Sequence, residues 1–119
     1  MREVEMIKSV NQVSPTGTCL QGYVTIPYSK LVEKFGKPEE SDGDKIDAEW
    51  VIQFEDDSIA TIYNWKNGKN YCGEYGLPTS RITEWNVGGA SDKVLSKLQS
   101  ILEVKVSSSY SPSIAAFFS

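Results

Sequence analysis

The sequence contains no histidine and only two cysteines, and both shortages exclude chemistry. Without histidine the chain cannot form Ser–His or Cys–His nucleophile pairs, and it lacks the commonest general base and transition-metal ligand. Two cysteines alone cannot complete a tetrahedral zinc site of the usual kind. We therefore expect no metal or other cofactor, and we expect Cys19 and Cys72 to be reduced thiols.

Long apolar runs and an excess of positive charge are also missing. No stretch approaches the roughly 20 apolar residues that a membrane-spanning helix needs. The opening residues MREVEMIKSV lack the apolar segment of a signal peptide. The net charge is −4 with no basic stripe, which argues against general binding to nucleic-acid backbones. These features predict a cytoplasmic protein that does not enter a membrane.

The acidic residues are unevenly distributed. Nine of the sixteen lie between residues 39 and 57, interrupted only by Lys45. Such an edge can imitate nucleic acid or attract a basic protein or a cation, and the alternative is a solvated surface that keeps the protein in solution. Within it, Asp47 and Glu49 are two residues apart on the polar face of one predicted strand. They are the candidate pair for carboxylate-based, metal-dependent catalysis.

The 119 residues suffice for one hydrophobic core, and alternating apolar residues predict the strands around it. We expect strands over residues 18–26, 46–54, 59–66 and 81–87, with 46–54 and 59–66 forming a central hairpin. The first eight residues alternate weakly, which is compatible with a short strand. Gly22, inside the first of these strands, predicts a bulge or a close approach of another backbone.

Two helices are expected. The first is capped by Ser29 and ended by Gly36 and Pro38, and the second follows a cap at Ser91. The predicted fold is α+β, with the order β-α-β-β-β-α, an antiparallel sheet of about four strands and both helices on one face. Residues 1–106 are expected to form one domain. Residues 107–119 are expected to be a flexible tail, or an arm that docks on another copy through Phe117 and Phe118.

A second group of residues predicts a ligand site. If the strands 59–66 and 81–87 pair, two tryptophans come together beside a lysine, an asparagine and a glycine pair that precedes a helix. The free amides of a helix N-terminus suit an anion, and an aromatic ring with an amide and a lysine suits a nucleotide-like ligand. The alternative is that the tryptophans are core and the glycines form a turn. The candidate residues are Trp65, Lys66, Trp85, Asn86, Gly88 and Gly89.

Four linked segments, YSKLVEKFGKP, KIDAEWVIQF, SIATIYNWK and ITEWNVGG, followed by a helix, resemble a small uncharacterised protein family common in bacteriophage genomes. The resemblance covers about Gly22 to Ile101. It implies a phage or prophage accessory protein acting in the host cytoplasm, and it assigns no catalytic residues. The family usually has Asp-Gly where this chain has Asp57-Ser58, and often histidine where this chain has Asn86. The second departure counts against histidine chemistry at that place.

Three functions are therefore open. The first is a non-enzymatic phage accessory protein that binds a host protein or defence component through the acidic edge. The second is a module that binds or sequesters a small anionic ligand at the tryptophan site. The third is an enzyme that uses carboxylates and a metal ion. A nucleotide bound after purification would favour the second, and a metal-dependent activity lost on changing Asp47 or Glu49 would favour the third.

Overall fold

The computed structural model describes residues 7–40 and 45–108, and these form an α+β fold. The strands and helices follow one another along the chain, with two short 3-10 turns at Gly73–Tyr75 and Thr79–Arg81. In chain order they are β1 (Ile7–Val10), β2 (Cys19–Thr25), α1 (Tyr28–Phe35), β3 (Glu39–Glu40), β4 (Ala48–Phe54), β5 (Ile59–Tyr63), α2 (Lys69–Cys72), β6 (Glu84–Gly89), α3 (Lys93–Leu102) and β7 (Val106–Ser108).

All strands of the described part belong to one antiparallel sheet, in the order β1-β4-β5-β6-β2-β7, with β3 also paired to β4. The α+β class is confirmed, but the expected count of about four strands and two helices is wrong. The described residues hold seven strands and three helices. The additional elements are β1, β3, β7 and α2, and each has two to four residues, which is too short to leave a clear periodic pattern.

The sheet also extends past the domain boundary expected at residue 106. Ser107 pairs with Tyr23 and Ser108 pairs with Gly22, so both residues belong to β7 rather than to a tail. Gly22 confirms its expected role, because the β2–β6 register shifts beside it and a Cβ there would overlap the Ser107 carbonyl. The expected docking arm with Phe117 and Phe118 lies outside the described residues, as do residues 1–6.

The hydrophobic core lies between one face of the sheet and the helices α1 and α3. Trp50 and Trp85 meet edge-on with ring centroids 5.3 Å apart, and the Tyr28 ring lies 5.9 Å from Trp50. The indole N–H of Trp85 donates to the carbonyl of Ile26, just before α1. That of Trp50 donates to Gly36, just after α1. The two tryptophans thus hold both ends of an eight-residue helix that would be marginal alone.

The helix ends differ from expectation in detail. Ser29 lies inside α1, and Pro27 takes its N-cap position. Asp92 takes the N-cap position of α3 without a side-chain capping bond, while the expected cap, Ser91, accepts from the Lys93 N–H at 3.3 Å. Gly36 has φ 81°, as expected of a glycine that ends a helix, but its ψ of −163° is extended rather than left-handed helical. The expected stripe of α3 is confirmed, since all five of its members are buried: Val94, Leu95, Leu98, Ile101 and Leu102.

Candidate functional site

The structure separates the two tryptophans of the expected ligand site. Trp85 is buried in the core against Trp50 and Tyr28. Trp65 follows β5 on the opposite side of the sheet, is 45% exposed, and contacts Tyr63 edge-on at 6.3 Å. Strand alternation explains the separation, because successive residues point to opposite faces and Trp85 shares the core face with Val87.

The glycine pair lies inside β6 rather than in a turn, and packing accounts for both residues. A Cβ on Gly89 would come within 2.7 Å of Val94 on α3. A Cβ on Gly88 would overlap the Thr61 hydroxyl on the other face, which we call the outer face. The Gly89 carbonyl accepts a hydrogen bond from the Gln21 side chain at 3.0 Å. The expected turn is therefore a continuous strand, and these glycines allow close contacts within the protein.

Asn86 is the member of the expected set that lies on the outer face. It pairs across the ladder with Tyr63 on β5 and with Tyr23 on β2. Burial raises the pKa of Tyr63, and a hydrogen bond from Asn86 opposes that effect. Asn86 and Trp65 therefore both lie beside Tyr63, while Trp85 and Gly89 face the core.

The segment from Trp65 to Leu77, which we call the 65–77 loop, carries most of the exposed large hydrophobic side chains of the described residues. Six large hydrophobic side chains are exposed among the described residues, and four belong to this loop. Tyr75 is the extreme case at 89% exposed. Concentrated exposed aromatics are typical of interaction surfaces, whereas isolated ones need no explanation. The four are Trp65, Tyr71, Tyr75 and Leu77.

Lysines surround the aromatic rings of the loop. The ammonium groups of Lys45 and Lys66 each lie 5.9 Å from the Trp65 ring centroid. Lys66 is also 5.5 Å from the Tyr71 centroid. Lys66 adopts a left-handed backbone with φ 61°, and its N–H donates to the Lys45 carbonyl at 2.8 Å. This pairing fixes both lysines beside the exposed indole.

A buried polar cluster fixes the base of the 65–77 loop. The Asn64 side chain is fully buried and makes four hydrogen bonds. Its oxygen accepts from the backbone N–H groups of Asp47 and Ala48 at 2.7 and 3.1 Å, and its amide donates to Asp47 at 2.9 Å and to Asn67 at 3.0 Å. We call Asp47, Asn64 and Asn67 the amide anchor. It holds the loop against the start of β4.

Close backbone contacts within the loop complete this support. The second carboxylate oxygen of Asp47 accepts from the N–H of Asn70 at 3.1 Å. Leu77 donates its N–H to the Asn67 carbonyl at 3.0 Å, which closes the loop on itself. A Cβ on Gly68 would overlap the Asp47 carboxylate, and a Cβ on Gly76 would overlap the Gly68 carbonyl. The loop is therefore an ordered structure that exposes its rings.

The acidic edge is divided by the fold. Asp47 and Glu49 lie at the start of β4, while Glu55, Asp56 and Asp57 lie about 20 Å away, where β4 turns into β5. Lys8 pairs with Asp57 at 2.8 Å, and Lys97 pairs with Asp56. The hydrogen bonds from Lys97 and Ser58 hold the pKa of Asp56 well below its usual value. Two of the three carboxylates at the turn are thus paired with lysines of the same chain.

The expected carboxylate pair is divided too. One carboxylate oxygen of Asp47 accepts from the Asn64 amide and the other from the Asn70 N–H, whereas Glu49 is half-buried opposite Glu39 on β3. Burial raises the pKa of Glu49, and the neighbouring Glu39 raises it further. Within residues 7–40 and 45–108, no group of three or more Asp, Glu or Cys side chains is placed to hold a metal ion.

The sequence did not point to the amide anchor or to the exposed rings. The signal that was available is the composition of residues 67–79, which are rich in Gly, Asn and Tyr and predicted only an irregular loop. Tyrosines in a polar loop have no nearby apolar partners in sequence, and this favours exposure. Three of the four hydrogen bonds of Asn64 join residues 16 or 17 positions apart, so no local pattern could show them.

No model of a known protein family matches this chain, and no curated protein matches it significantly. The resemblance to phage proteins accordingly stays a prediction. Over the part of the chain that the structure describes, no helix is both long enough and apolar enough to span a bilayer.

Proposed function

We propose that this protein is a binding protein that docks on an acidic surface of a partner protein through the 65–77 loop. The observation that carries the proposal is the exposure of four large hydrophobic side chains within thirteen residues of a firmly supported loop. Tryptophan and tyrosine supply a large share of the binding energy in protein interfaces. Loops held by a rigid scaffold are the usual place for such residues.

The support beneath the loop favours binding. The amide anchor and the hydrogen bond from Leu77 to Asn67 hold the rings in place before any partner arrives. A preordered loop loses little conformational entropy on association, so more of the contact energy is available as affinity. A loop with no binding role would gain nothing from holding aromatic rings in water.

The charge around the loop selects the chemistry of the partner. Lys45, Lys66 and Lys69 lie on or beside it, against Glu74 within the loop and Asp47 at its base. The protein as a whole carries −4, so this small excess of lysine makes the region a positive area on an acidic molecule. Carboxylates of a partner would pair with these lysines and draw them away from the Trp65 ring. The ring would then pack against the surface of the partner. We therefore assign the docking role to the 65–77 loop rather than to the acidic edge.

A small planar anion is the second candidate. Lys66 beside Trp65 favours it, since a nucleobase can stack on an indole while its phosphate meets a lysine. Trp85 and Gly89 are engaged by core packing, which leaves such a ligand a flat surface instead of a pocket. Flat aromatic surfaces suit proteins better than small molecules, which usually bind in concave sites. If the phage resemblance holds, the partner is a host protein in the bacterial cytoplasm.

Site-specific photo-crosslinking tests the proposal. A photoreactive amino acid replaces Tyr75 in the loop, and in the matched control it replaces the exposed Glu33 on α1. Irradiation in the bacterial host should give a discrete adduct from position 75 and none from position 33. The adduct should disappear when Lys66 and Lys69 are both changed to Glu. Reversing the charge of the facing acidic residues in the identified partner should restore it.

Two results would contradict the proposal. One is an equal yield of adducts from both positions, which would indicate random collision. The other is a nucleotide that binds the purified protein tightly, shifts its melting temperature and blocks the crosslink, which would favour the small-ligand candidate.

A further inference from the structure

The Asn67-Gly68 peptide lies at the centre of the amide anchor. The Asn67 side-chain oxygen accepts a hydrogen bond from the amide of Asn64, which is fully buried, at 3.0 Å. The Asn67 amide nitrogen donates to the Glu84 carbonyl at 3.4 Å. The Asp47 carboxylate lies against Gly68, so closely that a Cβ on this residue would overlap it. An amide donor and a carboxylate therefore meet at one Asn-Gly peptide.

An asparagine that precedes a glycine is chemically reactive. Attack of the next backbone nitrogen on the side-chain carbonyl carbon closes a five-membered ring, and glycine has no Cβ to hinder the approach. This reaction is one reason why asparagine is a thermolabile residue. Asn67-Gly68 is the only Asn-Gly pair in the chain. Within residues 7–40 and 45–108 the Gly68 N–H donates to no acceptor, so its nitrogen is not engaged elsewhere.

We propose that Asn67 is a self-modification site, at which the Gly68 nitrogen attacks the Asn67 side chain with the assistance of the amide anchor. The nitrogen forms a bond to Asn67 Cγ and gives its proton to the Asp47 carboxylate. The bond from Cγ to Nδ2 then breaks, and ammonia leaves with that proton. Water opens the resulting succinimide ring, which leaves aspartate or isoaspartate at position 67. One water is consumed and one ammonia is released, and no oxidant takes part.

The neighbours of the peptide are placed to assist each step. Negative charge develops on the Asn67 side-chain oxygen during the attack, and the Asn64 N–H is already bonded to this oxygen. Fixed donors at a developing oxyanion lower the barrier because they need no reorganisation. Asn64 is fixed by its other hydrogen bonds, to the backbone of Asp47 and Ala48. The Asp47 carboxylate beside Gly68 is placed as the general base.

Either product would loosen the 65–77 loop. Isoaspartate adds a methylene to the main chain at the residue whose carbonyl accepts from Leu77. Aspartate turns a carboxylate toward the Glu84 carbonyl and places it near Asp47, where like charges repel. A loosened loop would bind its partner less tightly. This last consequence rests on the proposed function, whereas the modification itself does not.

Timed incubation of the purified, folded chain tests the inference. Samples from a mildly alkaline buffer are digested, and peptide mass spectrometry follows the exchange of amide for carboxyl, while enzymatic methylation measures isoaspartate. We expect conversion at Asn67, whereas Asn70, which precedes the bulky Tyr71 in the same loop, should stay intact. Asp47→Asn should slow the conversion about tenfold or more. The matched change of another carboxylate, Asp56→Asn, should leave the rate unchanged.

Asn64→Ala separates assistance from mere support. If the Asn64 amide stabilises the oxyanion, its loss should slow the conversion even though the loop is looser. If the anchor only restrains the loop, the same variant should convert faster, because a locally opened segment samples the reactive geometry more often. That result would overturn the proposal, as would faster conversion of the wild-type chain in urea than in its folded state. Unfolding midpoints show that the variants are compared as folded proteins. Neither result affects the crosslink from position 75, which tests docking separately.

Discussion

Two groups of aromatic rings in this protein have opposite environments. Tyr28, Trp50 and Trp85 pack together beneath α1, where both indole N–H groups bond to backbone carbonyls. Trp65 and Tyr71 stand in solvent, where lysine ammonium groups lie over their rings. The contacts of the two groups differ accordingly. Backbone acceptors complete a core, whereas lysines beside exposed rings are what the proposed docking on an acidic surface requires.

Truncation of a ring in the core group should lower the free energy of unfolding the most. Trp50→Ala removes a fully buried ring and the hydrogen bond that holds the end of α1. We expect a loss of about 3–5 kcal/mol in the free energy of unfolding, from lost burial and the cavity left behind. Urea denaturation followed by circular dichroism measures it. Trp65→Ala is the control and should change stability by less than about 0.5 kcal/mol. Similar losses for both variants would contradict the distinction between a buried and an exposed group of rings.

Removal of the amide anchor, which joins the exposed loop to the core, should cause the second-largest loss of stability. Asn64→Ala would leave the backbone N–H groups of Asp47 and Ala48 without their acceptor. Each buried unsatisfied group costs about 1–3 kcal/mol, so the unfolding midpoint should fall clearly. Asn64→Asp is the sharper variant, because it keeps the acceptor but places a second carboxylate against Asp47.

The pH dependence of Asn64→Asp checks the anchor. Repulsion from Asp47 should raise the folded-state pKa of the new carboxyl above its unfolded value. A raised pKa favours the protonated folded state, so the deficit relative to wild type should shrink as pH falls below neutral. A deficit that stays constant from pH 7 to pH 5 would mean that the two carboxylates do not interact.

The sequence allowed the main strands, both long helices and the buried stripe of α3 to be predicted, because each of them repeats a local pattern. It did not allow β3 and β7 to be found, because a strand of two or three residues is defined by its ladder partner. The position of Trp65 could not be predicted for a related reason. Trp65 shares the outer face with Tyr63 whereas Trp85 faces the core, and this follows from the β5–β6 register, which no local pattern shows.

Substitution of Gly36 should cause a smaller loss of stability, and it tests the backbone conformation at the end of α1 beside Trp50. Its φ of 81° and ψ of −163° form a combination that is nearly restricted to glycine. Gly36→Ala should therefore cost about 1–2 kcal/mol, although open space surrounds the new methyl group. Asn tolerates the left-handed helical region but not this one, so Gly36→Asn should cost nearly as much as Gly36→Val. A clear advantage for Asn in thermal melting would show that the residue adopts the left-handed helical conformation.

Asp56 lies at the opposite end of the β4–β5 hairpin, where a lysine pairs with a carboxylate of the same chain and is not left for a partner. Lys97 bonds Asp56 and Ser58 and lies 5.1 Å from the Phe54 ring centroid. The pKa of Asp56 is lowered in the folded state, so its stabilising effect is present above the ordinary value of 3.8 and is lost as pH falls below it. Asp56→Asn should be less stable than wild type at pH 7 and should match it in strong acid. A pH-independent difference would contradict the ion pair with Lys97.

Tyr75 should give the smallest effect on stability and the clearest effect on function. It is the most exposed large hydrophobic side chain among the described residues. Tyr75→Ser should shift the free energy of unfolding by less than about 0.5 kcal/mol, as is usual for surface positions. If the 65–77 loop is the interface, the same change should reduce partner affinity about tenfold or more, which calorimetry with the identified partner can measure. Unchanged affinity together with unchanged stability would mean that the exposed Tyr75 ring does not contribute to binding, and that the interface lies outside the 65–77 loop.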